Sequence, residues 1–221
     1  EVGELFWQCL EQVKAAEEAG FDYVWAVEHH FLYPYSCSSA PEVFLAAVAQ
    51  HTQRIRIGHG VVLLPRPYNH PVRVAERAAV LDILSRGRLE LGTGRSATLL
   101  EIEGFGLRPE ETRPMWEEAV RMIPRMWLEE SFSWQGEYYQ IPPRNVTPKP
   151  LQQPHPPLWM AGTQPSSGQL AGKYGLGLLH FTFSGPEALR ESLEHYREAV
   201  ARAEPVGAFV NEQVAALTLA F

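Results

Sequence analysis

Glu28, His29 and His30 follow a mostly apolar run, Phe21–Val27, of strand length. Adjacent side chains on an extended strand end point to opposite sides, so one imidazole can face a site while the other packs or meets solvent. An unperturbed imidazole titrates near physiological pH, which suits acid–base work. A second cluster, Gly92-Thr93-Gly94-Arg95-Ser96-Ala97, also follows a strand. It matches the dinucleotide pattern G-x-G-x-x-G/A, yet no acidic residue ends a following strand as a dinucleotide fold requires. The glycines let backbone approach a flat ligand, with Arg95 as a fixed cation; the plain alternative is a tight turn carrying a surface arginine. Other chemistries lack their residues. There is no H-E-x-x-H and no Cys or His pair at metal spacing, so no metal is expected. Paired glycosidase carboxylates need acids at two strand ends, and only Glu28 sits at one. G-x-S-x-G is absent, and Gly168–Lys173 is one residue short of a P-loop. An imidazole, a glycine-lined strand end, an arginine and a hydroxyl-rich turn at Ala161–Ser167 suit a cofactor that brings its own chemistry. The competing view, that the histidine is a satisfied structural residue, stays open at this point.

These groups need elements to place them. The chain has 221 residues, 45% apolar and 20% charged, which is a globular rather than a disordered composition. Its net charge of −7 gives no electrostatic footprint for nucleic acid or an anionic membrane, so the expected partner is a small molecule. Two cysteines, Cys9 and Cys37, form no disulfide framework and fit a reducing cytoplasm. The longest aliphatic run, Val61–Leu64, is far too short to span a bilayer.

A βα rhythm runs through the chain. Helical periodicity from Leu5 to Ala16 stops at Gly20, and strands are expected at 21–27, 55–64, 88–91, 158–161, 177–183 and 214–221. Helices are expected at 43–50, 72–84, 113–129, 166–174 and 186–203, with Ser39-Ala40-Pro41-Glu42 read as a capping box. Mostly apolar strands separated by helices signal a parallel sheet buried on both faces. The count favours a (β/α)8 TIM barrel, which typically takes about 250 residues, over an open doubly wound sheet. Opening inside a helix predicts residues before Glu1 that supply strand one, and a tail that supplies the last βα unit. Residues 1–221 then form a single, incomplete barrel domain. Its one irregular stretch, 131–157, holds seven prolines from Pro142 to Pro157 and reads as a hairpin plus an extended loop.

Several motifs occur together in order: Glu28-His29-His30-Phe31; Arg54 to Gly58 with Val61–Pro65; His70-Pro71 with Arg73 to Glu76; Leu81-Asp82, Ser85, Gly87-Arg88 through Gly92, Gly94 and Arg95; Pro148, Pro150 and Gln152 with Pro154–Pro157; and Ala161-Gly162-Thr163. The set resembles the bacterial luciferase-like, flavin-dependent monooxygenases over essentially the whole chain. The resemblance implies a TIM barrel that takes reduced FMN from a separate flavin reductase. It implies reaction with O2 through a C4a-(hydro)peroxyflavin and insertion of one oxygen atom into a small, apolar organic substrate. It makes His29 the catalytic acid/base and places a non-proline cis peptide at Gly60-Val61, under the flavin ring. Gly94 stands where bacterial luciferase has a cysteine, leaving space above the ring. Arg95 and Arg113 become phosphate partners, with hydroxyls and N–H groups from Thr163 and Ser166. Trp25, Phe31, Phe105, Phe181 and Phe183 are candidate walls of a substrate pocket, whereas Asp82, Ser85 and Arg88 are read as structural. A homodimer through 43–50 and 72–84 is expected. Two alternatives accompany this reading: a hydride-transferring enzyme using the deazaflavin F420, and a non-catalytic flavin-binding subunit.

Overall fold

The structure, a computed structural model, describes residues 2–181 and 185–217. In chain order the elements are α1 (Val2–Glu18), β1 (Tyr23–Ala26), α2 (Pro41–His51), β2 (Arg56–Leu63), α3 (Pro71–Leu84), β3 (Leu89–Gly94), α4 (Leu99–Gly104) and α5 (Pro109–Leu128). They continue as β4 (Phe132–Gln135), β5 (Gln140–Arg144), β6 (Leu158–Gly162), α6 (Pro165–Lys173), β7 (Gly177–Phe181), α7 (Pro186–Val200) and β8 (Val214–Leu217). Local chemistry sets these limits. Helices α2, α3, α5, α6 and α7 each begin on a proline, whose fixed φ and missing N–H suit the first turn. Gly20, Gly87 and Gly175 take positive φ just beyond α1, α3 and α6, the left-handed conformation that lets a helix stop.

Six strands pair in the order β1-β2-β3-β6-β7-β8, every pair parallel, and β4-β5 form a separate antiparallel hairpin. The six-stranded sheet is curled. In a flat sheet β1 and β8 would lie about 24 Å apart at the usual strand spacing of about 4.8 Å, beyond the reach of two side chains. Yet Tyr23 Oη on β1 donates to Gln213 Oε1, just before β8, at 3.2 Å. The Trp25 and Trp159 rings, from β1 and β6, also meet edge-on at 5.2 Å across the interior. This is the parallel, helix-wrapped sheet of a TIM barrel, incomplete within the described residues.

The hairpin and proline-rich loop fall where expected, and side chains pin them. Glu118 on α5 accepts from Trp134 Nε1 and from the N–H groups of Tyr138 and Tyr139. Asp82 accepts from both the backbone and the side chain of Gln152. Arg88 donates to the Ala49, Thr52 and Ile55 carbonyls and ties the end of α2 to the start of β3. One expectation needs correction. The capping box at Ser39–Glu42 does not form: α2 begins at Pro41, so its cap is Ala40, which has no side-chain bond to give. Residues 96–112, which carry no motif, contain the short helix α4. Among the described residues no helix is long and apolar enough to cross a membrane.

Candidate functional site

In a parallel βα sheet the carboxyl ends of the strands open onto one face, where loops meet. Glu28, His29 and His30 leave β1 there, and each histidine is held by its own carboxylate. Glu28 is buried; its Oε1 lies 3.0 Å from His30 Nε2 and accepts from Asn69 Nδ2 at 2.9 Å, while Oε2 accepts from the Leu63 N–H at 2.9 Å. This ties the end of β1 to the end of β2. The hydrogen bond to Glu28 raises the pKa of His30, outweighing the opposing effect of burial. His29 turns the other way. Its Nδ1 lies 3.1 Å from Oε1 of Glu101, which is only 1% exposed, whereas the His29 side chain is 26% exposed.

Glu101 reaches this position because α4 follows directly on the loop leaving β3. Ser96 takes a positive φ of 67° there, a strained conformation for a residue other than glycine. That geometry lets Ser96 Oγ donate to Glu101 Oε2 at 2.9 Å; Thr98 Oγ1 also donates to Oε2, and the His30 N–H donates to Oε1. Burial pushes the Glu101 pKa up, but the bonds from Thr98, the His30 N–H, Ser96 and His29 together hold it below the ordinary carboxylate value.

The Gly60-Val61 peptide is cis, at the point where β2 and β3 slip in register between His59 and Val62. The space at Gly94 is not open as expected. A Cβ built there would lie 2.4 Å from Val61 Cγ2, so the Val61 side chain occupies the room that the missing side chain leaves. Trp25 packs below the mouth, with its Cβ beside Gly60 and its ring against Gly58 and Trp159, so it fills the interior. Phe31 and Phe105 do come together at the mouth, ring centroids 5.5 Å apart, joined by His30 at 4.9 Å and Tyr68 at 4.4 Å from Phe105. Burial pushes the pKa of the Tyr68 hydroxyl up to about 12. Phe181 ends β7 in register with Leu217, while Phe183 lies outside the described residues.

Arg95 leaves β3 and donates to Thr112 Oγ1 at 3.0 Å. Helix α5 holds Thr112 in place through Trp116, whose Nε1 donates to Thr93 Oγ1 at 3.1 Å. Partial burial, and then the like charge of Arg113, lower the Arg95 pKa. No carboxylate pairs with Arg95 among the described residues, whereas Arg113 pairs with Glu117 at 3.1 Å. Arg113 and Ser166, in the first turn of α6, line one groove of about 640 Å3 together with Lys173, His195 and Arg202. Thr163 is exposed in the loop that enters α6. The sequence reading missed Glu101, Tyr68, Asn69 and Thr112; of these only Glu101 had a local signal, the Thr98-x-x-Glu101 spacing of a helix start.

A family model described as luciferase-like monooxygenase matches residues 5–215. Limonene 1,2-monooxygenase of Rhodococcus erythropolis is 35% identical over 199 residues, covering 87% of this chain and 49% of that protein. The oxygenase component of a flavin-dependent trigonelline monooxygenase of Acinetobacter baylyi is 31% identical over 204 residues, 89% of this chain and 54% of its own. An F420-dependent hydroxymycolic acid dehydrogenase of Mycobacterium tuberculosis is 36% identical over 175 residues, 76% of this chain and 47% of its own. Among solved structures, the monooxygenase RslO1 from Streptomyces bottropensis superposes with a TM-score of 0.88 at 32% identity, covering 98% of this chain and 65% of that one. The chain thus spans about half the length of the curated relatives it matches.

Proposed function

The chain belongs to the luciferase-like monooxygenase family, and from that premise we propose that it carries the oxygenating site of a two-component, FMN-dependent monooxygenase acting on a small, apolar organic substrate. The observation that carries this reading is the pairing of a carboxylate-held imidazole, His29, with a cation, Arg95, that no carboxylate neutralises among the described residues. A flavin phosphate fits that second feature. Arg95 is partly desolvated, stands beside Arg113, and faces no competing anion in its only described hydrogen bond, to Thr112. Thr163 and Ser166 add donors where α6 begins, the positive end of its dipole.

When bound, reduced FMN supplies the electrons with which O2 delivers one oxygen atom to the substrate. The protein's part is binding, orientation and proton handling. Arg95, Arg113, Thr163 and Ser166 would hold the phosphate, and the backbone at Gly60-Val61 would support the ring. His29 moves a proton at the reacting edge. Phe31, Phe105 and Phe181 exclude water and favour an apolar substrate. A separate flavin reductase supplies FMNH2, in keeping with a relative named as an oxygenase component. Free cysteines suit a cytoplasmic setting. A homodimer through α2 and α3 would cover Val43, Val80, Ile83 and Leu84, all exposed; a monomer by light scattering counts against it.

One observation favours a second reading. Lys173, His195 and Arg202, with Glu198 as the one acid, line the same groove as Arg113 and Ser166, and the excess of basic groups suits a cofactor with a longer anionic part, such as F420. Oxygen labelling separates the two. Turnover under 18O2 with FMN, NADH, a flavin reductase and a panel of aldehydes, terpenoids and aromatic compounds is expected to place one 18O atom in a product. Substrate oxidation by oxidised F420, or substrate reduction by reduced F420, with no label in the product would replace the proposal with the second reading.

A further inference from the structure

We infer that Glu101 is a positioning residue for His29, holding the imidazole as the tautomer protonated on Nδ1 and leaving Nε2 to exchange protons at the site. The geometry requires a donor at Nδ1. Glu101 Oε1 lies 3.1 Å from Nδ1 and also accepts the His30 N–H at 2.9 Å; Oε2 accepts from Ser96 Oγ at 2.9 Å and from Thr98 Oγ1. An ionised carboxylate can only accept, so every group on it, Nδ1 included, has to bring the proton. The carboxyl stays ionised at neutral pH because those bonds together outweigh its burial. The two ring nitrogens point away from each other, so fixing Nδ1 on a buried group directs Nε2 away from Glu101. A carboxylate behind a histidine fixes both tautomer and ring orientation, and the arrangement persists here at the cost of a left-handed Ser96.

The role in turnover rests on the proposed function of His29, whereas the tautomer does not, so the two are tested separately. Long-range 15N–1H NMR of His29 is recorded without flavin on the wild type, Glu101→Gln and Glu101→Ala. In the wild type, at mildly alkaline pH, Nδ1 is expected to be protonated and Nε2 to show the shift of an unprotonated ring nitrogen. Glu101→Gln is expected to keep that pattern, because its amide oxygen can replace Oε1 while its NH2 faces hydroxyls that can turn to accept. Glu101→Ala is expected to move His29 toward the Nε2-protonated form and to lower kcat about 100-fold with little change in KM. An unprotonated Nδ1 in the wild type overturns the inference, even if Glu101→Ala fails to fold. So does an unchanged tautomer in Glu101→Ala, or wild-type kcat in that variant once the tautomer has moved. If the tautomers behave as expected but no oxygenation occurs with any substrate, the functional reading fails and the tautomer assignment stands.

Discussion

Replacing His59 by leucine should remove much of the acid sensitivity of this fold. His59 lies on β2 next to the Gly60-Val61 peptide and is 3% exposed, in a space shared with Glu42, Val74, Arg77 and Leu91. Among the described residues its Nδ1 has no hydrogen-bond partner. Burial, and then the charge of Arg77, push its pKa down from 6.5 to about 4. In the unfolded chain the imidazole keeps its ordinary value of about 6.5. Between those two values the unfolded state binds a proton that the folded state refuses, so stability rises with pH across the window. The contribution is fully present above pH 6.5 and is lost by about pH 4. Over an interval of about 2.5 pH units, at about 1.4 kcal/mol per unit, the loss amounts to about 3 kcal/mol. Urea unfolding of wild type and His59→Leu at pH 7 and pH 4 measures it. The variant should lose about 2–3 kcal/mol less than the wild type on acidification. Both proteins share the other contributions, from His155 and His180 lowered by burial in the same sense and from His30 raised in the opposite one. Parallel stability–pH curves for the two proteins would refute the reasoning.

Three further perturbations test the scaffold and the phosphate grip. A Cβ at Gly92 would lie 2.0 Å from the His59 carbonyl oxygen, so Gly92→Ala forces β2 and β3 apart and should lower unfolding free energy by about 2–3 kcal/mol in urea titration. Arg95→Ala should weaken FMNH2 binding about 10–100-fold, as expected for a charged hydrogen-bonded contact, and leave reduced riboflavin binding nearly unchanged. Equal losses for both flavins would place the phosphate elsewhere. Asn69 donates to Glu28 Oε1 and to the Leu63 carbonyl and accepts from Arg77, so Asn69→Leu takes one of three partners from the buried Glu28 carboxylate and should cost about 1–3 kcal/mol in thermal or urea unfolding.

The strand and helix order was legible because the apolar runs alternate with proline-started helices. The expected strand 88–91 falls on β3, which is buried throughout and runs on through Gly94, and Pro71 and Pro186 open helices where proline is tolerated. Where the reading slipped, capping explains it. Ser39 and Glu42 have capping-box spacing but lie one position too early, since Pro41 rather than Ala40 begins α2. Thr98 and Glu101 have the same spacing at a real helix start, yet the Glu101 side chain accepts from the hydroxyls of Thr98 and Ser96. Helix α4 is six residues long, with Leu99 and Leu100 both exposed, so it shows no periodic apolar face to detect. The His29–Glu101 contact joins residues 72 apart, and no local pattern carries such a pairing. Val61 filling the space at Gly94 is likewise a tertiary fact, set by how β2 and β3 slip past each other.

The proposed function requires a reduced flavin seated at the carboxyl ends of the strands with its phosphate on Arg95 and Arg113. Anaerobic titration of the full chain with FMNH2 and, separately, with reduced F420, followed by absorbance and fluorescence, addresses this most directly. Saturable one-to-one binding of FMNH2, tighter than that of reduced F420 and abolished when Arg95 and Arg113 are both replaced by alanine, is the predicted result. Saturation by reduced F420 alone, or FMNH2 binding indifferent to both arginines, would contradict it.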